Sequence, residues 1–314
     1  MSQEPTHSGL WIRFSSSIKM RKHLFLAGGI GWMVLLVSCH KYQFAHVFMG
    51  FPSTKIHSIR FFEKPDPDLP PQVFPEKDDA YLKVLRETYR LDSVAGNSAN
   101  ELDKVLAIMA WAHSRWRHNG SQMPKKSDAL SILKEAESGM RFRCVEYGIV
   151  LADALLSVGF KARVLGLKTR DVETAKSGAG HVLAEVWLPS RKKWILADAQ
   201  FDLIPVLDGV PLNAVEFQQA LFEKKAFQLV NKEGQVLKQN RRRFLQFIGH
   251  YLYYMDTAFD QRRSPGLANR FLHEGRRSLM LVPEEAPNPV RFQIGSAIDY
   301  AWYTYSKGSF YRAP

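Results

Sequence analysis

The run "VEYGIVLADALLSV", Val145 to Val158, constrains this chain more than any other stretch, because it is apolar nearly all round and stops at Gly159. A helix with no polar face has to be buried on every side, so the fold must be wrapped around this segment. Immediately after it the period changes. The stretches "KARVLGL", "HVLAEVWL" and "KKWILAD" read as strands, by β-branched content and, in the second, by alternation. Three helical stretches come before it. The first runs from Asp79 to about Leu91. The second opens with Ser98-Ala99-Asn100-Glu101 as a capping box and repeats apolar residues at Leu102, Val105, Leu106, Met109, Ala112 and Trp116. The third has Ser127 as N-cap and Gly139 as stop. Helices first and antiparallel strands afterwards is an α+β order.

Both ends of the chain read differently. Met20, the basic pair Arg21 and Lys22, and the apolar run Leu24 to Val37 have the form of a signal peptide, with 14 apolar residues against the roughly 20 that cross a bilayer. Leu36-Val37-Ser38-Cys39 resembles the bacterial lipobox, in which the cysteine is acylated and begins the mature chain. The expectation is a signal segment over 1–38 and a lipid anchor at Cys39, with acyl chains and basic residues acting together. The proline-rich stretch that follows reads as an extended tether over 39–78. Beyond Gln200 the pattern weakens. A helix from Ala214 to Lys225, another from Arg242 to Ala258, and a tyrosine-rich end suggest a helical or irregular extension, 206–314, packed on a domain over 79–205.

The chain has two cysteines, so loss of Cys39 to a lipid leaves Cys144 as a lone thiol in an oxidising envelope, where an idle thiol is a liability. At the first turn of the buried helix, unpaired N–H groups and the helix dipole favour the thiolate, and Arg141 and Arg143 add positive charge. A nucleophilic thiolate also needs a base held by a third group. His181 opens the second strand and Asp198 ends the third. Across a hairpin turning at Ser190 or Arg191 the two fall opposite each other or nearly so, about 4.5 to 5.5 Å apart at Cβ. Asp198 would then fix the ring of His181 while His181 takes the thiol proton.

These residues carry a resemblance. "RCVEYGIVLADALLSVGFKARVLGL", "GHVLAEVWL" and "KWILADAQF" together are similar to the transglutaminase-like superfamily, from roughly Leu102 to Phe201. The resemblance implies a papain-like core with Cys144 as nucleophile, His181 as base and Asp198 as orienting acid, used for acyl transfer through a thioester. It also implies an oxyanion donor on the preceding helix, for which Trp116 is the candidate and Trp111 and His118 compete with it. Glu146 reads as pointing outward or bonded locally. No cofactor is implied, and His113 and His118, five apart, do not share a helix face for a metal.

The net charge of +12 suits anionic lipid or cell-wall polymer better than nucleic acid in an envelope setting, and the runs Arg241-Arg242-Arg243 and Arg276-Arg277 read as solvated helix faces. The expected partners are a peptide, protein or cell-wall peptide substrate and the membrane through the N-terminal lipid. A contrasting class remains open: the same fold kept as a binding or scaffolding module in the envelope.

Overall fold

A computed structural model describes residues 56–236, 238–263 and 270–314, all of which belong to the compact unit Ser53–Pro314. The expected signal segment, the lipobox, Cys39 and the first part of the tether lie outside the described residues.

In chain order the elements begin with helices α1 (Ala80–Thr88), α2 (Leu91–Ala95), α3 (Glu101–His113), α4 (Ala129–Glu137) and α5 (Cys144–Ser157). Strands β1 (Ala162–Lys168), β2 (Gly180–Leu188) and β3 (Lys193–Ala197) follow, with a 3-10 turn at Pro189–Arg191 between the last two. Next come β4 (Ile204–Leu207), β5 (Val210–Pro211), α6 (Ala214–Phe222), β6 (Gln228–Asn231), β7 (Gly234–Gln235) and α7 (Lys238–Ile248). The chain then runs through β8 (Tyr254–Ala258), β9 (Ser278–Leu281), β10 (Arg291–Phe292), β11 (Ser296–Ala297), β12 (Ala301–Thr304) and α8 (Lys307–Phe310).

Helix α5 is buried from Glu146 to Ser157, as an all-apolar helix requires, and α1, α3 and α4 pack around it. Each of its fully buried aliphatic side chains, Leu151 and Leu155 among them, contributes about 1.5–3 kcal/mol by leaving water. Helix and sheet approach unusually closely at Gly148, where a Cβ would lie 2.9 Å from the Leu183 carbonyl oxygen and 2.9 Å from a methyl of Val182. Only hydrogen fits there, and that position lies one turn beyond Cys144 on the same helix face.

The principal sheet has six strands in the order β12-β9-β8-β1-β2-β3, antiparallel throughout except for the parallel pair β12 and β9. Three of the six come from the C-terminal extension, which therefore completes the sheet. Its strands went unread because they are short and because the helical pattern of α7 was extended through Tyr251 to Met255, whose aromatic content favours a strand. The expected helix over Arg242 to Ala258 is accordingly two elements, α7 and β8, divided at Gly249. A smaller sheet, β5-β4-β6-β7, lies alongside.

The two faces of the large sheet are covered by different parts of the chain. Ala184, Val186 and Leu188 of β2 join the core formed with α1 to α5, whereas Leu183 joins a second core with Phe217 of α6 and Phe244 and Ile248 of α7. By strand alternation His181 and Glu185 belong to the second face. The extension thus covers the very side of the sheet from which the expected base projects.

Several local readings are corrected. The cap of α3 is Asn100, whose side chain accepts from the Leu102 N–H, while the Ser98 hydroxyl donates to Asp103; no Ser98 capping box forms. Asp128 rather than Ser127 caps α4, since a carboxylate reaches the Ser131 N–H. Helix α3 ends at His113, so Trp116 stands in the following loop. Arg276 and Arg277 precede strand β9 and lie on no helix. The described part of the tether, 56–78, runs extended but lies along the body: Phe62 pairs with Tyr305 and Lys307, Val73 pairs with Phe259 and Gln261, and Leu69 is buried.

Candidate functional site

Cys144 is the first residue of α5 and is half-buried. Arg143 caps the helix. Its backbone N–H donates to the Glu146 carboxylate at 3.0 Å, and its guanidinium donates to the same group at 2.7 Å. Glu146 is fully buried, so of the two readings of this residue the local bond holds and the outward one does not. Its charge is matched within the helix entry, and the sulfur is left without a competing acid on its own turn.

His181 is buried, with Nε2 2.8 Å from Asp198 Oδ2. The other carboxylate oxygen of Asp198 accepts from the Phe201 N–H at 3.2 Å, which fixes the plane of the acid. The hairpin brings this about with an offset. Its register pairs Ala184 with Ala197, so Asp198 stands opposite Leu183 and His181 is its diagonal neighbour two residues away on the same face. The expectation was a pair opposite or nearly so; the structure sets it on the diagonal, which works because imidazole and carboxylate together span the longer gap.

With Nε2 committed to Asp198, Nδ1 is the nitrogen left for the sulfur. It is buried and makes no hydrogen bond of normal geometry, yet the Cys144 thiol is close enough to bias its proton. Burial alone would lower the pKa of His181. The charge and hydrogen bond of Asp198, together with Cys144, outweigh it and push the ring up to about 9. Asp198 thus favours the protonated ring, the form that can later give a proton to a leaving group. A loose contact of this kind is usual in unliganded catalytic sites and tightens around substrate.

Trp116 packs on Tyr147 at 4.4 Å between ring centres, and Tyr147, one turn after Cys144, donates its hydroxyl to the Trp116 carbonyl at 2.6 Å. The Trp116 indole N–H is buried with no acceptor among the described residues. An unspent donor beside the nucleophile's helix is what an oxyanion site needs. Trp111 instead faces Tyr89, with Arg115 over its ring. His118 does come to the site: burial and the positive charge of His181 lower its pKa, while Asp198 and Glu146 act the other way. His113, at the end of α3, hydrogen-bonds the Ala199 carbonyl at 2.9 Å and so anchors the residue after Asp198.

Sequence reasoning missed one whole wall of the site. The ring of Phe247 stands edge-on to His181 at 5.0 Å, with Tyr251 at 5.9 Å and Phe201 at 6.1 Å. His250 is also close enough for burial and the His181 charge to take its pKa down to about 4, against an opposing effect of Asp171. Phe201 follows Asp198 by three residues, while Phe247, His250 and Tyr251 stand on α7 and the turn after it, far along the chain from the nucleophile. The one local hint was the aromatic spacing of Phe244, Phe247 and Tyr251.

Residues 89–199 match the family model described as the transglutaminase-like superfamily, which spans α2 to the residue after Asp198. No curated protein matches. A solved structure of a candidate cysteine protease from Cytophaga hutchinsonii is similar over 44% of this chain and 46% of its own, with 17% identity and a TM-score of 0.31, so this chain spans less than half the length of that protein. The chain thus contains a transglutaminase-like superfamily domain over residues 89–199.

Proposed function

We propose that the protein is a cysteine-dependent acyl-transfer enzyme of the cell envelope, hydrolysing peptide or isopeptide amide bonds, with Cys144 as nucleophile, His181 as acid and base, and Asp198 as the group that orients the ring. The observation that carries this reading is the imidazole of His181, held at Nε2 by a buried carboxylate while Nδ1 is left for the sulfur at the head of α5.

The sulfur attacks the amide carbonyl carbon and a C–S bond forms. The carbonyl electrons move to oxygen, where the N–H of Cys144 and the Trp116 indole are the available donors. Collapse of this intermediate breaks the C–N bond as His181 gives its Nδ1 proton to the departing nitrogen. Water then attacks the thioester, His181 accepts a proton from it, and release of the acid restores the thiolate and imidazolium. A primary amine in place of water would give transamidation. Hydrolysis is the simpler outcome, since water is always present whereas a transferase must also bind an acceptor amine and shield the thioester. The envelope location rests on the Cys39 segment, which acylation would tie to a membrane.

The test is trapping. Intact-mass measurement after mixing with amide and ester peptide libraries should show an acyl adduct on the wild-type chain that hydroxylamine removes. Cys144→Ala should show none and release no product. Tight peptide binding with no adduct under any condition would favour a scaffolding module instead.

A further inference from the structure

We propose, resting on the reading of Cys144 as nucleophile, that the cleft selects acidic peptides, with substrate carboxylates beside the scissile amide held by a rim of arginines. Besides others such as 174–184 and 300–314, the stretches 104–127, 138–145 and 234–255 carry no acid. The fold brings them to the same place. The loop after α3 is tied to the segment entering Cys144 through Asn119 N–H to the Phe142 carbonyl and Arg141 N–H to Gln122, both at 2.8 Å. The third stretch contains α7, whose Phe247 covers His181.

Arg117, Arg141, Arg242 and Arg243 are exposed in these stretches, and among the described residues none is paired with an acid. Some arginines elsewhere are neutralised, Arg60 by Glu284 and Glu285, Arg86 by Asp78 and Asp92, and Arg262 by Asp260, while others such as Arg90 and Arg191 have no acid partner among the described residues. Near the nucleophile the nearest acid in sequence, Glu146, is buried and spent on Arg143. Arg243 lies four residues before Phe247, one helical turn along the same face of α7. Unpaired guanidiniums that repel one another are relieved by a carboxylate ligand, which arginine holds through paired hydrogen bonds.

Binding is best read on the full-length Cys144→Ala chain by fluorescence anisotropy, so that the result does not depend on whether the thiol turns peptides over. Labelled peptides differing only by Glu or Gln on either side of a central amide are the probes. The Glu peptides should bind about tenfold more tightly at 50 mM salt, and the gap should close near 1 M as screening shortens. Arg117→Gln with Arg141→Gln, and separately Arg242→Gln with Arg243→Gln, should each weaken only the Glu peptides, by about three- to tenfold. In the active chain the same changes should raise KM with little effect on kcat. Equal affinity for Glu and Gln peptides overturns the proposal. So does loss of binding to phosphatidylglycerol vesicles in these variants with peptide affinity unchanged, which would make the rim a membrane surface.

Discussion

Two buried acid-base pairs share one face of strand β2 and have opposite fates. Arg163 on β1 stands directly across from Glu185, and both are fully buried. The guanidinium donates to Glu185, Gln72 and the Phe310 carbonyl, with the rings of Trp194, Phe310 and Tyr311 against it. The second oxygen of Glu185 accepts from the Ala214 N–H and the Tyr311 hydroxyl. This pair draws on the segment before α1, the sheet, α6 and the C-terminus, and both charged groups are fully engaged. Four residues earlier, His181 has one nitrogen bonded and one facing the sulfur without a full hydrogen bond. A saturated buried pair holds the fold together. An unsaturated one keeps a proton available for chemistry.

The largest effect that would test this contrast comes from Asp198→Asn. It removes the charge that raises the His181 pKa and permits the wrong tautomer, so turnover should fall by about 10⁴. A loss below tenfold would break the comparison. In the wild type the imidazolium is lost as pH rises through about 9, so activity should decline across that limb. The same sign governs stability. Because the folded pKa lies above the unfolded value near 6.5, the contribution of His181 is complete below that pH and disappears as pH climbs through about 9. An NMR titration of the ring, with and without Asp198, measures the shift directly.

Arg163→Met should act on stability first, costing about 3–5 kcal/mol because Glu185 is left buried and charged, and adding Glu185→Leu should recover much of that loss. Urea unfolding checks both, and a single-variant cost below 1 kcal/mol would contradict the structural role. Gly148→Ala should be milder, about 1–3 kcal/mol from overpacking against β2. It should also slow acylation, since the inserted methyl pushes Cys144 away from His181. Unchanged turnover in this variant would show that the close approach of helix and strand does not set the site.

Much of this was legible in the residues. The apolar run after Cys144, the strand opening at His181 and the strand ending at Asp198 are local patterns, and each produced the element it implies. What went unread depended on distance along the chain. Phe247 and Tyr251 meet His181 only because α7 folds onto a sheet face that the first five helices leave bare, and no local period reports such a return. The capping details of α3 and α4 also escaped, because Ser98, Asn100, Ser127 and Asp128 all offer acceptors and backbone geometry selects between them.

The sequence by itself determined that this chain has a buried helix headed by a thiol and followed by strands carrying an imidazole and a carboxylate, because periodicity and residue chemistry act over a few neighbours. Only the tertiary structure decided that His181 and Asp198 meet on a diagonal, that residues 206–314 finish the sheet and wall the site, and that Arg163 is spent on structure while His181 is not. Those outcomes follow from long-range packing and from the competition for hydrogen-bond partners in a dry interior, where each buried polar group is settled by whatever the rest of the fold brings to it.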